Sequence, residues 1–159
     1  MIRHNIEPLY DKNSKILILG SFPSVKSREA QFFYHHPQNR FWKIMSELFH
    51  EDCSSIENKK KCLLNHNIAI WDVINSCDIE GSSDSSIKNV VVNNLNEVII
   101  NSKIKTVFTN GKKSYELYNK YCLKNTNITA IPLPSTSPAN AMYSLERLLK
   151  EWKVIKEYL

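Results

Sequence analysis

Four short apolar runs, each closed by a polar or turn-forming residue, constrain this chain more than anything else in it. Lys15 to Leu19 ends at Gly20, Ile68 to Trp71 at Asp72, Thr106 to Phe108 at Asn110-Gly111, and Ile128 to Ile131 at the stretch Pro132 to Ser137. None alternates apolar with polar residues, so none reads as a strand with one wet face. Short unbroken runs suit strands buried on both faces of a parallel sheet. In such sheets ligands sit beyond the carboxyl ends of the strands, and that is where the polar residues lie.

Helical patterns separate the runs. Phe41, Ile44, Met45, Leu48 and Phe49 recur at i, i+3, i+4, i+7 and i+8, one face of a helix. Ile87 to Ile100, Lys112 to Leu123 and Ala141 to Tyr158 also read as helices. Alternation of strands and helices predicts an α/β fold, a three-layer αβα sandwich around a central four-stranded parallel sheet. Ile2 to Tyr10 is expected to pack along the outside. With 159 residues and 42% hydrophobic content, the chain suits a single domain over residues 1–159 that needs no metal or disulfide staple.

Residues 1–20 lack a basic head followed by an apolar stretch and a cleavage site, so the chain is expected in the cytosol. Cys53, Cys62, Cys77 and Cys122 match neither a zinc nor an iron–sulfur spacing and read as free thiols. His35-His36 has no carboxylate or cysteine at ligand spacing, so no metal is expected. No cofactor is expected either. Gly20-Ser21-Phe22-Pro23-Ser24 lacks the second glycine and the Gly-Lys pair of a phosphate loop, and no dinucleotide fingerprint occurs.

The formal net charge is +5, and it is unevenly spread. Residues 12–43 hold six cations against one acid, residues 102–124 the same, and residues 44–101 four lysines against nine acids. This asymmetry fits a basic face turned to a polyanion. It fits solvated helix faces as well.

The stretch Gly20-Ser21-Phe22-Pro23-Ser24, followed by His36-Pro37-Gln38-Asn39-Arg40-Phe41-Trp42, resembles the uracil-DNA glycosylase superfamily. Within it, the chain is most similar to the hypoxanthine-DNA (deoxyinosine) glycosylase branch. Trp71-Asp72-Val73, Asn110-Gly111 and Leu133-Pro134-Ser135-Thr136-Ser137-Pro138-Ala139-Asn140 extend the likeness in the right order over residues 15–152. The mismatch-specific uracil branch carries an Asn in its first loop, and other branches an Asp. Here Ser21 and Phe22 stand there and cannot prepare a water.

The resemblance implies a monomeric enzyme of base excision repair that acts on damaged DNA. It would flip a deaminated base, hypoxanthine by preference, out of the duplex and hydrolyse its bond to the sugar. The catalytic role falls by this analogy to Asn39, which would hold the attacking water. Asn39 also reads as a helix N-cap, and its carboxamide oxygen suits either task. Gly20, Ser21, Phe22, Pro23, Tyr34, Asp72 and Asn110 are the expected base pocket. Phe22 would stack on the base or belong to the core, Asn110 would read the base edge or form a turn, and Asp72 would face the pocket or cap the next segment. Ser24, Lys26, Arg28, Arg40, Ser135, Thr136 and Ser137 are the expected DNA contacts, with solvated surface or a plain turn as the competing reading. A uracil-preferring glycosylase and a non-catalytic nucleic-acid-binding module on the same fold remain the alternatives.

Overall fold

Ile16, Leu17, Ile18 and Leu19 are all fully buried. Successive strand residues point to opposite faces, so both faces of this strand are covered. The computed structural model, which describes all 159 residues, shows how. In chain order it contains strands β1 (Ile2–Arg3) and β2 (Ile16–Gly20) and helices α1 (Val25–Ala30), α2 (Phe41–Phe49) and α3 (Ile56–Asn65). Strands β3 (Ile68–Asp72), β4 (Ile74–Asp78) and β5 (Lys88–Val92), helix α4 (Leu95–Ile100) and strand β6 (Thr106–Asn110) follow. Helices α5 (Lys112–Tyr121) and α6 (Leu123–Thr126), strand β7 (Ala130–Leu133) and helix α7 (Leu145–Trp152) complete the chain, with 3₁₀ turns at Asp84–Ser86 and Lys153–Tyr158.

Strands β3, β2, β6 and β7 form, in that order, the parallel sheet that the four apolar runs predict. Each fully buried Ile or Leu of β2 contributes about 2 kcal/mol. Pro132 was expected to end the last run, yet it lies inside β7. That strand pairs only with β6, so the missing Pro132 N–H leaves no bond unmade.

A second sheet was not anticipated. Strands β1, β4 and β5 pair antiparallel, so the expected helix over Ile87 to Ile100 is a strand, a turn and one short helix. The β-branched run Val90-Val91-Val92 favours the pleated surface over a helix. Asn93 then pins the turn, its amide N–H donating to the carbonyls of Asp72 (2.9 Å) and Ile74 (3.3 Å). The N-terminal segment also lies deeper than expected. His4 and Ile6 are buried, and Leu9 bridges Ile70 at the β3 edge.

The last two helices are shorter than the sequence pattern suggests. One stops at Tyr121 and re-forms at Leu123. The other begins only at Leu145, where Ser144 caps it by accepting from the Arg147 N–H. No helix is long and apolar enough to cross a membrane. All four cysteines are free, three of them buried.

Aromatic packing fixes the start of α2, and with it the site. Phe41 meets Trp42 and Trp152 edge-on, Trp42 stacks on Phe32, and Trp42 Nε1–H donates to the Phe33 carbonyl at 3.0 Å. Each such ring pair adds about 0.5–1.5 kcal/mol beyond its buried area.

Candidate active site

Parallel register brings the strand ends level. Gly20 lies beside Asp72, and Asn110 beside Leu133. The loop after β2 is tied to β4, since Val73 N–H donates to the Gly20 carbonyl and Ile74 N–H to that of Ser21. A cavity of about 300 Å³ opens between these ends. Its lining includes every residue expected in the base pocket: Gly20, Ser21, Phe22, Pro23, Tyr34, Asp72 and Asn110. Asn39, Ser24, Ser135, Thr136 and Ser137 line it too.

Asn39 and Asn110 are joined through Thr136. Asn110 Nδ2–H donates to Thr136 Oγ1 (3.0 Å), and Thr136 O–H donates to Asn39 Oδ1 (2.8 Å). Phe41 N–H donates to the same Asn39 oxygen (2.9 Å), and Thr136 N–H donates to Asn110 Oδ1 (3.0 Å). Phe41 N–H can only donate, so this network sets which way the Asn39 amide faces. Its oxygen therefore serves the helix start, but from one residue before the cap, since Arg40 and not Asn39 holds the cap position that the sequence suggested for Asn39. Its amino group has no partner within the protein and is the part left for a water.

Arg40 takes a role the sequence reading did not give it. Its guanidinium donates to the carbonyls of Thr136 (3.4 Å), Ser137 (2.8 Å), Asn140 (3.0 Å) and Tyr143. Most of its five N–H groups are thus spent on one loop, and few remain for a phosphate. Arg40 Nη and its backbone N–H, which donates to the Thr136 carbonyl, hold that loop against the start of α2.

The opposite wall is built from unpartnered groups. Tyr34 adopts a left-handed backbone (φ 51°), which costs a bulky residue about 1–3 kcal/mol. Its ring stacks on Phe41 at 4.3 Å, and its hydroxyl is buried with no hydrogen bond. Burial drives the Tyr34 hydroxyl far above its usual range. The Asp72 side chain is 4% exposed, with Oδ2 buried and unpartnered. Burial, and then the charge of Asp84, push the Asp72 carboxyl up to about 7. A carboxyl raised in this way stabilises the fold least once it ionises, so its contribution fades as pH climbs from about 4 through 7.

His4 offers Asp72 no cation. Its Nδ1 accepts the Ile6 N–H and its Nε2–H donates to the Ile74 carbonyl at 2.7 Å. The Nε2 to Asp72 Oδ2 separation of 3.9 Å is therefore proximity and not an ion pair. Burial also lowers the His4 pKa, which keeps the ring neutral.

Asp84 is the residue that sequence reasoning missed. It sits in the polar loop 82–86, which reads as a simple connection. The fold swings it to the cavity, where it accepts the Ser21 O–H at 3.1 Å. His36, Phe33 and Ser27 also line the cavity unannounced. Lys26 is exposed and loosely paired with Glu29 at 3.8 Å. Arg28 lies over the Phe22 ring and donates to the Gly81 carbonyl (2.7 Å). Phe22 itself is 8% exposed, with its edge against His4, so it is both core and cavity wall.

Comparison with known proteins assigns this architecture. The uracil DNA glycosylase superfamily matches residues 7–158. The chain belongs to this superfamily. It is 33% identical to the hypoxanthine DNA glycosylase of Methanosarcina acetivorans over 98% of both chains. It is 36% identical to that of Methanosarcina barkeri over 73% of this chain and 75% of the other. A solution NMR structure of a Methanosarcina acetivorans protein, named for the uracil DNA glycosylases, superposes with a TM-score of 0.81. That pair is 34% identical, and the match covers 98% of this chain and 97% of the other.

Within this superfamily member, Gly20 has a steric reason to be glycine. A methyl there would lie 2.5 Å from Asp72 Oδ1 and 3.0 Å from the Tyr34 hydroxyl. Gly20→Ala is expected to destabilise the fold by about 1–3 kcal/mol through overpacking. That lowers the melting temperature by about 2–4 °C per kcal/mol. A thermal melt with an unchanged or raised midpoint would show that the floor of the cavity yields freely.

Proposed function

We propose that the chain is a monofunctional DNA glycosylase that hydrolyses the N-glycosidic bond of hypoxanthine in deoxyinosine after the nucleotide flips out of the duplex. The observation that carries this is the Asn39–Thr136–Asn110 network in the wall of a base-sized cavity formed by the strand ends. Its volume of about 300 Å³ lies at the lower end of the roughly 300–1,000 Å³ of ligand pockets. That suits one nucleobase. The relatives named for hypoxanthine favour that base over uracil.

Chemistry follows from positions. Cleavage leaves positive charge on the sugar and negative charge on the base. Asn39 offers an amino group to hold a water near the sugar carbon, which is orientation and not proton abstraction. Phe22 and Pro23 flank the base. Ser24, Ser135 and Ser137 grip the backbone around the flipped nucleotide with hydroxyls, whereas Thr136, fully buried with its hydroxyl and N–H given to Asn39 and Asn110, positions those two amides and is not free for the DNA contact expected of it. Lys26 and Arg28 add sequence-independent attraction to phosphate. The reading includes action as a monomer in the cytosol.

Oligonucleotide duplexes carrying inosine or uracil, and a normal duplex, test the proposal by measured release of free base. Hypoxanthine is expected to leave fastest and no base to leave the normal duplex. Retention of inosine DNA without release would make the protein a binder. Faster release of uracil would place it with uracil-preferring enzymes.

A further inference from the structure

The edge of the base had one expected reader, Asn110, and the structure shares it with Thr136, which leaves it one N–H and one lone pair. Both ends of its carboxamide bond to Thr136. Beside it lies the floor around Gly20, where Asp72 Oδ1 and the Tyr34 hydroxyl both lie within 3.0 Å of the point that a Cβ on that glycine would occupy. Neither the Tyr34 hydroxyl nor Asp72 Oδ2, both buried atoms, makes a hydrogen bond of normal geometry, though the Asn110 amide is near enough to the Tyr34 hydroxyl to oppose the rise of its pKa, and both residues line the cavity.

We propose that Tyr34 and an uncharged Asp72 form a pair of O–H donors that receives the carbonyl oxygen of the departing base and stabilises the charge it gains. The inference rests on the glycosylase reading above and assigns that site its leaving-group machinery.

The protonation of Asp72 follows from its surroundings. A buried carboxylate needs donors or a cation, and Asp72 has neither. From the N-terminal strand it faces His4, whose ring is neutral and donates to Ile74. From the 84–86 turn it faces Asp84, which repels a second negative charge. Tyr34 faces it from the segment before α2. Arg28 acts on His4, and Lys113 on Asp84. Burial holds the carboxyl up near 7, so the acid form is the working form below that pH. A carboxylic acid kept neutral in an apolar site beside a tyrosine is a known way to make an oxyanion hole.

The step balances without proton transfer from Asp72. Water oxygen bonds to the sugar carbon, and the N-glycosidic electron pair leaves with the base. The water's proton is released to solvent, and the base recovers one there. Asp72 and Tyr34 keep their protons and only share them. As negative charge spreads onto the base carbonyl, both hydrogen bonds strengthen, which lowers the barrier. Ionised Asp72 would oppose the same charge.

The test is single-turnover base release from an inosine duplex between pH 5.5 and 9 by the parent, Asp72→Asn, Asp72→Leu and Tyr34→Phe. Parent release is expected to fall as pH rises through about 7. The Asn variant keeps an N–H donor and cannot ionise. It is expected to be a few-fold slower than the parent at pH 6 and to lose the alkaline fall. The Leu and Phe variants are expected to be about 10²-fold slower than the parent at pH 6, the Leu variant without an alkaline fall and the Phe variant with it. His36 also lines the cavity, and it is present in every variant, so the comparison among them isolates Asp72 and Tyr34. Melting curves accompany each variant, and Asp72→Asn is expected to be no less stable than the parent above pH 7. An alkaline fall that persists in Asp72→Asn, or release that rises through pH 7 in the parent, overturns the donor pair and leaves the glycosylase reading intact. A parent that releases no base from any duplex overturns both.

Discussion

Asn39→Ala is expected to release base about 10²-fold more slowly than the parent, or worse, while still binding inosine DNA. Its side chain does two things at once. The oxygen accepts from Phe41 N–H and from the Thr136 hydroxyl, and the amino group is left for the water. Losing the oxygen removes the acceptor of the Phe41 N–H in the first turn, which costs about 1 kcal/mol. In a chain of this size that lowers the melting temperature by about 2–4 °C, too little to unfold the protein at 25 °C. Losing the amino group removes the water's only positioned donor from this residue, and misplacing a reactant by an ångström is enough for a large rate effect. A melt, a binding titration and a single-turnover rate on the same sample separate the two roles. Release at the parental rate would reduce Asn39 to an acceptor at the helix start, and collapse of the melt would reduce it to a structural residue.

Arg40→Ala is expected to cut base release by a similar factor of about 10² for a different reason. The guanidinium gathers four carbonyls of the loop 136–143. That loop delivers the Thr136 hydroxyl to Asn39. Without the guanidinium the carbonyls turn to solvent and the loop loses its register, at a cost of about 2–4 kcal/mol given the strength of charged hydrogen bonds and their partial exposure. Arg40→Lys decides between a clamp and a phosphate contact. One ammonium cannot span four carbonyls, whereas it serves a phosphate well. Lysine is therefore expected not to rescue release. Parental activity in the Lys variant, with an unchanged dependence of DNA binding on salt, would return Arg40 to the phosphate contacts.

Both predictions concern hydrogen bonds between residues about 100 positions apart, and such bonds leave no trace in a sequence pattern. Asn39, Thr136 and Asn110 were each visible as motif members or strand-end residues. That one hydroxyl links the two amides was not. The same holds for Arg40. A cation in a basic segment reads as a phosphate contact until the carbonyls around it are known. Asp84 was hidden for the opposite reason, since a serine-rich turn carries no chemical signature until it folds over the cavity.

The sequence by itself determined the parallel sheet, because four apolar runs with no polar alternation have only two-sided burial open to them. It also determined where the cavity would open, because polar residues followed each run and parallel strands end level. It misjudged Ile87 to Ile100, since the strand preference of the β-branched run is weak by itself and pairing with β4 is what realises it. Only the tertiary structure decided which polar groups are satisfied and which are left open. Asp72 and Tyr34 are ordinary residues in the chain, and their unmet hydrogen bonds exist only because the fold buries them together above a glycine. Partnership is a property of three-dimensional neighbours, and it is that property which divides the helix-start acceptor from the water holder, the clamp from the phosphate contact, and the neutral acid from a surface carboxylate.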